Sequence, residues 1–235
     1  PSAVAANFSD HVVVVDRSGL VVELGAGGVP VLSRSAKDPG KPWWDGDRAY
    51  FGDDGTVRRM TDTWGANFSV PKKGKQEPLK RVEAGLSGAL GQWYLLDPGD
   101  ERVQVFVPRG QFLSSLMEGD PVDLAQDLQG RLYVLDRKAG KVLRYAANGN
   151  SDGTAAAGDW RKAEAVAIDI LGRVYVLDRG SASIDVWSPG GKKLVSVGPV
   201  LPGGIELRNP LDLSLDASGR LYVVDSRLEA VVVLE

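Results

Sequence analysis

Short apolar runs closed by aspartate and opened by glycine recur along this chain. Three near-copies stand in its second half: Gly130-Arg-Leu-Tyr-Val-Leu-Asp136, Gly172-Arg-Val-Tyr-Val-Leu-Asp178 and Gly219-Arg-Leu-Tyr-Val-Val-Asp225. An aspartate precedes each glycine by three residues: Asp127, Asp169 and Asp216. Weaker copies lie upstream, at Gly91-Gln-Trp-Tyr94-Leu-Leu-Asp97, Asp47-Arg-Ala-Tyr50-Phe-Gly-Asp53 and Asp10-His-Val-Val-Val-Val-Asp16. The closing aspartates, Asp16, Asp53, Asp97, Asp136, Asp178 and Asp225, define a period of about 42 residues. Runs of this length, rich in β-branched and aromatic residues and bounded by turn residues, are strands. Asp-x-x-Gly between two of them predicts a tight hairpin. Val103-Gln-Val-Phe106 and Ile184-Asp-Val-Trp187 alternate apolar and polar, as a half-buried third strand does, and Lys193-Leu-Val-Ser-Val197 reads as a fourth. No long amphipathic helical pattern interrupts them.

The period and the strand content predict an all-β chain, a six-bladed β-propeller of four-stranded antiparallel blades over residues 1–36, 37–81, 82–119, 120–162, 163–204 and 205–235. The innermost strand of blade one is expected at Ala3 to Phe8. Blade six has room for three strands (Leu211 to Leu215, Leu221 to Val224, Ala230 to Leu234) and lacks its outer one within this chain. The expectation is that the native polypeptide extends upstream of Pro1 or that blade six keeps three strands. The pieces Pro210-Leu-Asp-Leu-Ser-Leu-Asp216, Gly219-Arg-Leu-Tyr-Val-Val-Asp225 and Arg102-Val-Gln-Val-Phe106 resemble the three segments of an NHL repeat. The resemblance is strongest over residues 121–235 and weakest over 1–81. It implies the propeller fold, and in similar bacterial proteins an exported, periplasmic or cell-surface location. It does not imply one function, because such repeats host many.

Composition narrows the chemistry. The net charge of −3 argues against a surface built throughout for phosphate backbones. With no cysteine and a single histidine, His11, there is neither a thiolate site nor a multi-histidine metal site. No apolar run approaches the length of a membrane span.

Four sets of residues are candidates for function. Arg17, Arg137, Arg179 and Arg227 follow closing aspartates, so they gather on the face that carries the second-to-third-strand turns. There they either hold a carboxylate, a phosphate or an acidic peptide bidentately, or pair with neighbouring aspartates and stitch blades together. Asp123 and Asp212 replace a small residue on innermost strands, where Ala3, Gly40, Ala84 and Ala165 stand in other blades. Two carboxylates near the axis are candidate ligands for a calcium ion, though far short of the six to eight oxygens calcium takes. Lys72-Lys-Gly-Lys75 through Lys80-Arg81 forms a basic connection broken by Pro71 and Pro78, a candidate for nucleic acid whose only nearby aromatic is Phe68. Trp43-Trp44, after Pro42, breaks the repeat in blade two and either packs in the core or anchors a partner; Trp93 and Trp187 read as core, and Trp64 and Trp160 complete the tryptophans.

No Ser/His/Asp set can be assembled, and His11 belongs to a turn on the opposite face, so general acid–base work has little to rest on. The expected function is a protein-interaction or scaffolding propeller that binds a protein partner or another domain of its own polypeptide, with no cofactor. The alternatives are a metal-dependent lactonase- or lyase-like hydrolase, and a nucleic-acid or glycan binder.

Overall fold

A computed structural model describes residues 1–7, 9–62, 65–72, 74–98, 100–117 and 119–235. Trp64, Lys73 and Phe8 of the candidate segments lie outside the described residues. Six antiparallel blade sheets follow one another along the chain, in each the strands pair in sequence order, and a two-stranded sheet lies between the second and third. Blade one comprises β1 (Ala3–Ala6), β2 (Val12–Val15), β3 (Leu20–Leu24) and β4 (Pro30–Ser35). Blade two comprises β5 (Trp43–Asp45), β6 (Arg48–Asp53), β7 (Thr56–Arg59) and β8 (Gly65–Asn67), followed by a separate hairpin, β9 (Ser69–Lys72) and β10 (Lys75–Pro78). Blade three holds β11 (Ala84–Ser87), β12 (Trp93–Asp97), β13 (Arg102–Phe106) and β14 (Phe112–Leu116). Blade four holds β15 (Pro121–Gln126), β16 (Leu132–Asp136), β17 (Lys141–Tyr145) and β18 (Ser151–Ala157). Blade five holds β19 (Ala163–Ile168), β20 (Val174–Asp178), β21 (Ser183–Trp187) and β22 (Lys193–Val197). Blade six has β23 (Pro210–Leu215), β24 (Leu221–Asp225) and β25 (Ala230–Leu234), three strands where the other blades have four.

Between its ends the second strand of each blade is mostly apolar because it is covered on both faces. Tyr133 and Leu135 of β16 pack toward blade five with Ala163, Val166 and Trp187, while Leu132 and Val134 pack toward blade three with Leu96 and Val103. Each such side chain, removed from water, contributes about 1.5–3 kcal/mol. Outer strands extend these interfaces: Leu32, Ala66, Leu116, Ala156 and Val197 each pack against the next blade.

The polar signature of the repeat has a structural cause. In blades four, five and six the turn aspartate (Asp127, Asp169, Asp216) accepts two backbone N–H groups of its own turn through Oδ1. Its Oδ2 accepts the arginine Nε four residues on and the tyrosine hydroxyl six residues on: Arg131 at 2.6 Å and Tyr133 at 3.0 Å in blade four, with the same pattern at Arg173 and Tyr175 and at Arg220 and Tyr222. The closing aspartates bind the connection that enters their own blade. Asp53 accepts the amides of Lys37 and Asp38, Asp97 that of Lys80, Asp136 that of Asp120, Asp178 those of Arg161 and Lys162, and Asp225 those of Arg208 and Asn209. Burial alone would raise the Asp225 carboxyl, but four backbone N–H groups outweigh it and hold it below the ordinary range. Asp16 of blade one caps only its own turn, at Ser18 and Leu20.

Three local readings change. The innermost strand of blade one stops at Ala6, short of the expected Phe8. The Trp43-Trp44 segment does not interrupt blade two: it is that blade's innermost strand, shortened to three residues. The basic connection is a β-hairpin, in which Pro71 pairs with Gln76 and Pro78 with Ser69; a two-stranded ribbon has free edges, where a residue without an N–H is tolerated.

Asp225→Ala strips the acceptor from four amides at a fully buried position and is expected to destabilise the protein by about 3 kcal/mol in urea unfolding, whereas Asp16→Ala at the half-buried counterpart, which caps only its own turn, should cost under about 1 kcal/mol.

Candidate functional site

The six innermost strands surround a central axis, and one side chain crosses it. Lys41 lies just before β5. Its backbone N–H donates to Glu83 O at 2.7 Å, and this approach requires Gly40, whose added Cβ would stand 2.1 Å from Val82 O. Placed so, the Lys41 ammonium donates to Asp123 Oδ2 at 3.1 Å, Asp212 Oδ1 at 2.9 Å and the Glu164 carbonyl at 2.8 Å. All three ammonium protons are therefore used. Asp123 also accepts the Val166 amide at 2.8 Å, and Asp212 accepts the Val4 amide at 2.9 Å. These amides lie on innermost strands, where no further strand is available to take them. The lysine and its two carboxylates thus join blades one, two, four, five and six across the axis.

The electrostatics are those of one ammonium facing two carboxylates out of water. Burial alone would lower Lys41, but Asp123 and Asp212 outweigh it and hold the ammonium above the ordinary lysine range. Burial raises Asp123 despite the lysine. Burial, with a further contribution from the charge of Asp123, pushes Asp212 up to about 6, against the pull of Lys41 and the Val4 amide.

Lys41 separates two hollows. On the face of the first-to-second-strand turns, a cavity of about 400 Å³ narrows to Lys41, Asp123 and Asp212, with walls from Trp43, Trp44 and Leu124. Two donors in this wall, Trp43 Nε1 and Ser87 Oγ, are buried without a hydrogen-bond partner among the described residues. On the opposite face a vestibule of about 360 Å³ is lined by Arg17, Arg81, Glu83, Glu164 and Arg179.

The sequence candidates fall into place as follows. Of the four arginines, Arg137 and Arg179 both bind Glu164, at 2.5 and 3.3 Å, so the pairing partner is a glutamate of blade five rather than a closing aspartate. Arg17 and Arg227 are exposed, and their side chains have no hydrogen bond or ion pair among the described residues. Arg17 and Arg179 thus share the vestibule, while Arg137 and Arg179 are tied to Glu164. Asp123 and Asp212 do meet at the axis, and what they share is the ammonium of Lys41, a residue the repeat did not single out. Its only signal was a lysine beside Gly40, the small residue that blade two has where the two aspartates stand.

Trp43 is buried, stacked on Tyr50 and edge-on to Trp93. Trp44 is half-buried and donates from Nε1 to Ala5 O of blade one at 3.1 Å. Trp187 is buried in the interface of blades four and five, and Trp160 donates to Asp185. His11 pairs with Glu23 at 2.7 Å beside Trp44. In the basic connection Arg81 is held by Asp38 and Glu83, and Phe68 is buried.

No protein-family model matches the sequence, and no curated protein matches it. The fold does have solved counterparts. A gluconolactonase from Xanthomonas campestris superposes with a TM-score of 0.70 at 17% identity, covering 95% of this chain and 83% of that one. The WD40 propeller domain of Doa1 gives 0.68 at 10% identity, covering 96% and 75%. A streptogramin B lyase gives 0.60 at 14% identity, covering 80% of this chain and 62% of that one. The chain is a six-bladed β-propeller. At these identities the likeness speaks for the fold, which two lactone- or lyase-named proteins and a WD40 domain share. Among the described residues no helix of the propeller is long and apolar enough to cross a membrane.

Two predictions follow from the axial cluster. Lys41→Met leaves two buried carboxylates facing each other and is expected to lower stability by about 3–5 kcal/mol in denaturant unfolding at pH 7, part of it restored when Asp123 and Asp212 are also changed to Asn. Because the Asp212 carboxyl is raised above its unfolded value of 3.8, its contribution is present at low pH and lost as pH rises through about 6. The stability of the parent relative to Asp212→Asn should therefore increase as pH falls from 7 to 4.5, and a flat difference would contradict it.

Proposed function

We propose that this chain is a protein-interaction propeller, NHL-like in its repeat, that presents the face of its first-to-second-strand turns to a protein partner. One observation carries the reading. The central turn positions of blades three, four and five hold Leu90, Leu128, Ile170 and Leu171, each 53–69% exposed. Leu128 and Ile170 border the same hollow at the mouth of the axis, and the turns of blades three and four touch, an added Cβ on Gly130 lying 2.7 Å from the Ala89 Cβ. Tight turns normally carry polar residues, and apolar side chains clustered on exposed turns mark contact surfaces. The blades beneath are locked by buried strands and by the axial ion cluster, so the rim is rigid before it binds, which limits the entropy lost on association.

The axial residues fit a resident metal poorly. Asp123 and Asp212 each accept from Lys41 and from a backbone amide, and a hard cation needs several more oxygens. Nucleic acid is disfavoured by the burial of Phe68, the aromatic that the hairpin itself shares a segment with. A second reading, a small polar ligand in the cavity below Lys41, is favoured by the unpartnered Trp43 Nε1 and Ser87 Oγ.

The double variant Leu128→Glu, Leu171→Glu alters only exposed turn positions and should leave stability within about 1 kcal/mol of the parent. Affinity purification from the native source should lose the protein that co-purifies with the parent chain. Full retention by this variant, with loss instead in Arg17→Glu, Arg227→Glu, would place the interface on the opposite face and contradict the proposal.

A further inference from the structure

Blades four to six carry two sets of cations on the face of the closing aspartates. The first set is used by the protein itself. Arg137 reaches from blade four to the Ala163 carbonyl at 2.9 Å and to Glu164 of blade five. Arg179 reaches from blade five to Glu164 and, at 2.8 Å, to Asn209 Oδ1 of blade six. The second set, Lys138, Arg161, Lys162, Arg208 and Arg227, is exposed. Lys162 stands 3.4 Å from Glu164. The side chains of the other members have no hydrogen bond or ion pair among the described residues.

The second set is brought together through its backbone. Asp178 accepts the amides of Arg161 and Lys162 at 3.0 and 2.7 Å, and that of Gly180 from its own turn. Asp225 accepts Arg208 at 2.7 Å and Arg227 at 2.9 Å, so one buried carboxylate sets two arginines side by side. An added Cβ on Gly180 would stand 2.4 Å from Arg161 Cβ, which puts Arg161 against the turn that follows Arg179. Each of these cations stands in a turn or connection between two strands, so the patch does not depend on either terminus of the chain. At the same end of blades two and three the cations are neutralised, Lys37 by Asp54 and Arg81 by Asp38 and Glu83. Over blades four to six the exposed acids of these segments are Asp159, Glu206 and Glu229, which the cations outnumber. A chain of net charge −3 thus concentrates unpaired positive charge on one sector of one face.

We propose that this patch binds an acidic, extended segment of a partner protein, whose carboxylates pair with Arg161, Arg208 and Arg227. Guanidinium groups match carboxylates bidentately, and arginines whose backbones are already fixed lose less freedom on binding. Nucleic acid fits the patch less well. Trp160, the aromatic of these segments, is half-buried, donates to Asp185 at 2.9 Å and meets Trp187 edge-on, so bases find no open platform. Asp159, Glu206 and Glu229 would repel an unbroken run of phosphates, whereas a peptide can meet them with polar or basic side chains. This face is opposite the turn rim, and the inference stands whether or not that rim binds.

The probe is hexaglutamate added to the intact chain at low salt, read by phenylglyoxal modification of each arginine with mass spectrometry. Without peptide, Arg161, Arg208 and Arg227 should react, and Arg137 and Arg179, tied to Glu164, should resist. Saturating hexaglutamate should slow modification of the first three at least about tenfold, an effect that falls as salt screens the charges. By calorimetry, Arg161→Glu, Arg208→Glu should raise the hexaglutamate Kd at least about tenfold. Its melting temperature should be unchanged, because the amides that reach Asp178 and Asp225 remain. Lys75→Glu, Lys80→Glu, at the basic hairpin, should leave the Kd unaltered. Equal modification with and without peptide, or equal weakening by the hairpin variant, would overturn the proposal. Tighter binding of single-stranded oligothymidylate than of hexaglutamate, lost in the arginine variant, would overturn the choice of a peptide in favour of nucleic acid. Shielding of Arg161, Arg208 and Arg227 at every dilution of the protein isolated from its native source would assign the patch to the same polypeptide and overturn the choice of a partner.

Discussion

The ammonium of Lys41 held between Asp123 and Asp212 is the constraint on which the centre of this molecule depends. Innermost strands of a propeller have one edge with no neighbour, and their amides must find acceptors without a further strand. Here Asp123 and Asp212 accept the amides of Val166 and Val4. Two carboxylates brought together for that purpose repel each other and lose hydration. Lys41 offsets both effects, and its third proton reaches the Glu164 carbonyl. Removing any one member leaves the others buried and uncompensated, so the members are best understood as a unit.

The same logic runs outward through the blades. Each turn aspartate of blades four to six satisfies its own hairpin and orients an arginine and a tyrosine, and each closing aspartate from blade two onward anchors the connection that arrives from the previous blade. The recurring Asp-x-x-Gly-Arg-x-Tyr is thus a statement about backbone amides rather than about a ligand. What the repeat does not need are the apolar residues exposed on the turns of blades three to five: Leu90, Leu128, Ile170 and Leu171.

The fold was legible because its determinants are local. Period, strand alternation and turn aspartates all recur within single blades, and they recover six sheets and the three-stranded last blade. Legibility failed where the determinant was a meeting of distant residues. Asp123 and Asp212 could be seen to be unusual, but Lys41 lies more than 80 residues from the nearer one, and its direction depends on the approach of Gly40 to Val82 O. Glu164 likewise gave no signal as the shared partner of Arg137 and Arg179. In blade two the strand signal was masked because a three-residue strand of two tryptophans and an aspartate has too little pattern to read.

Most central is the Lys41 ammonium held across the axis between Asp123 and Asp212. Nitrogen-detected NMR of the Lys41 side chain tests it most directly. The account predicts a charged, slowly exchanging ammonium signal, coupled to its hydrogen-bond acceptors and unmoved by excess calcium. A rapidly exchanging, solvent-like ammonium, or one displaced when calcium is added, would contradict it.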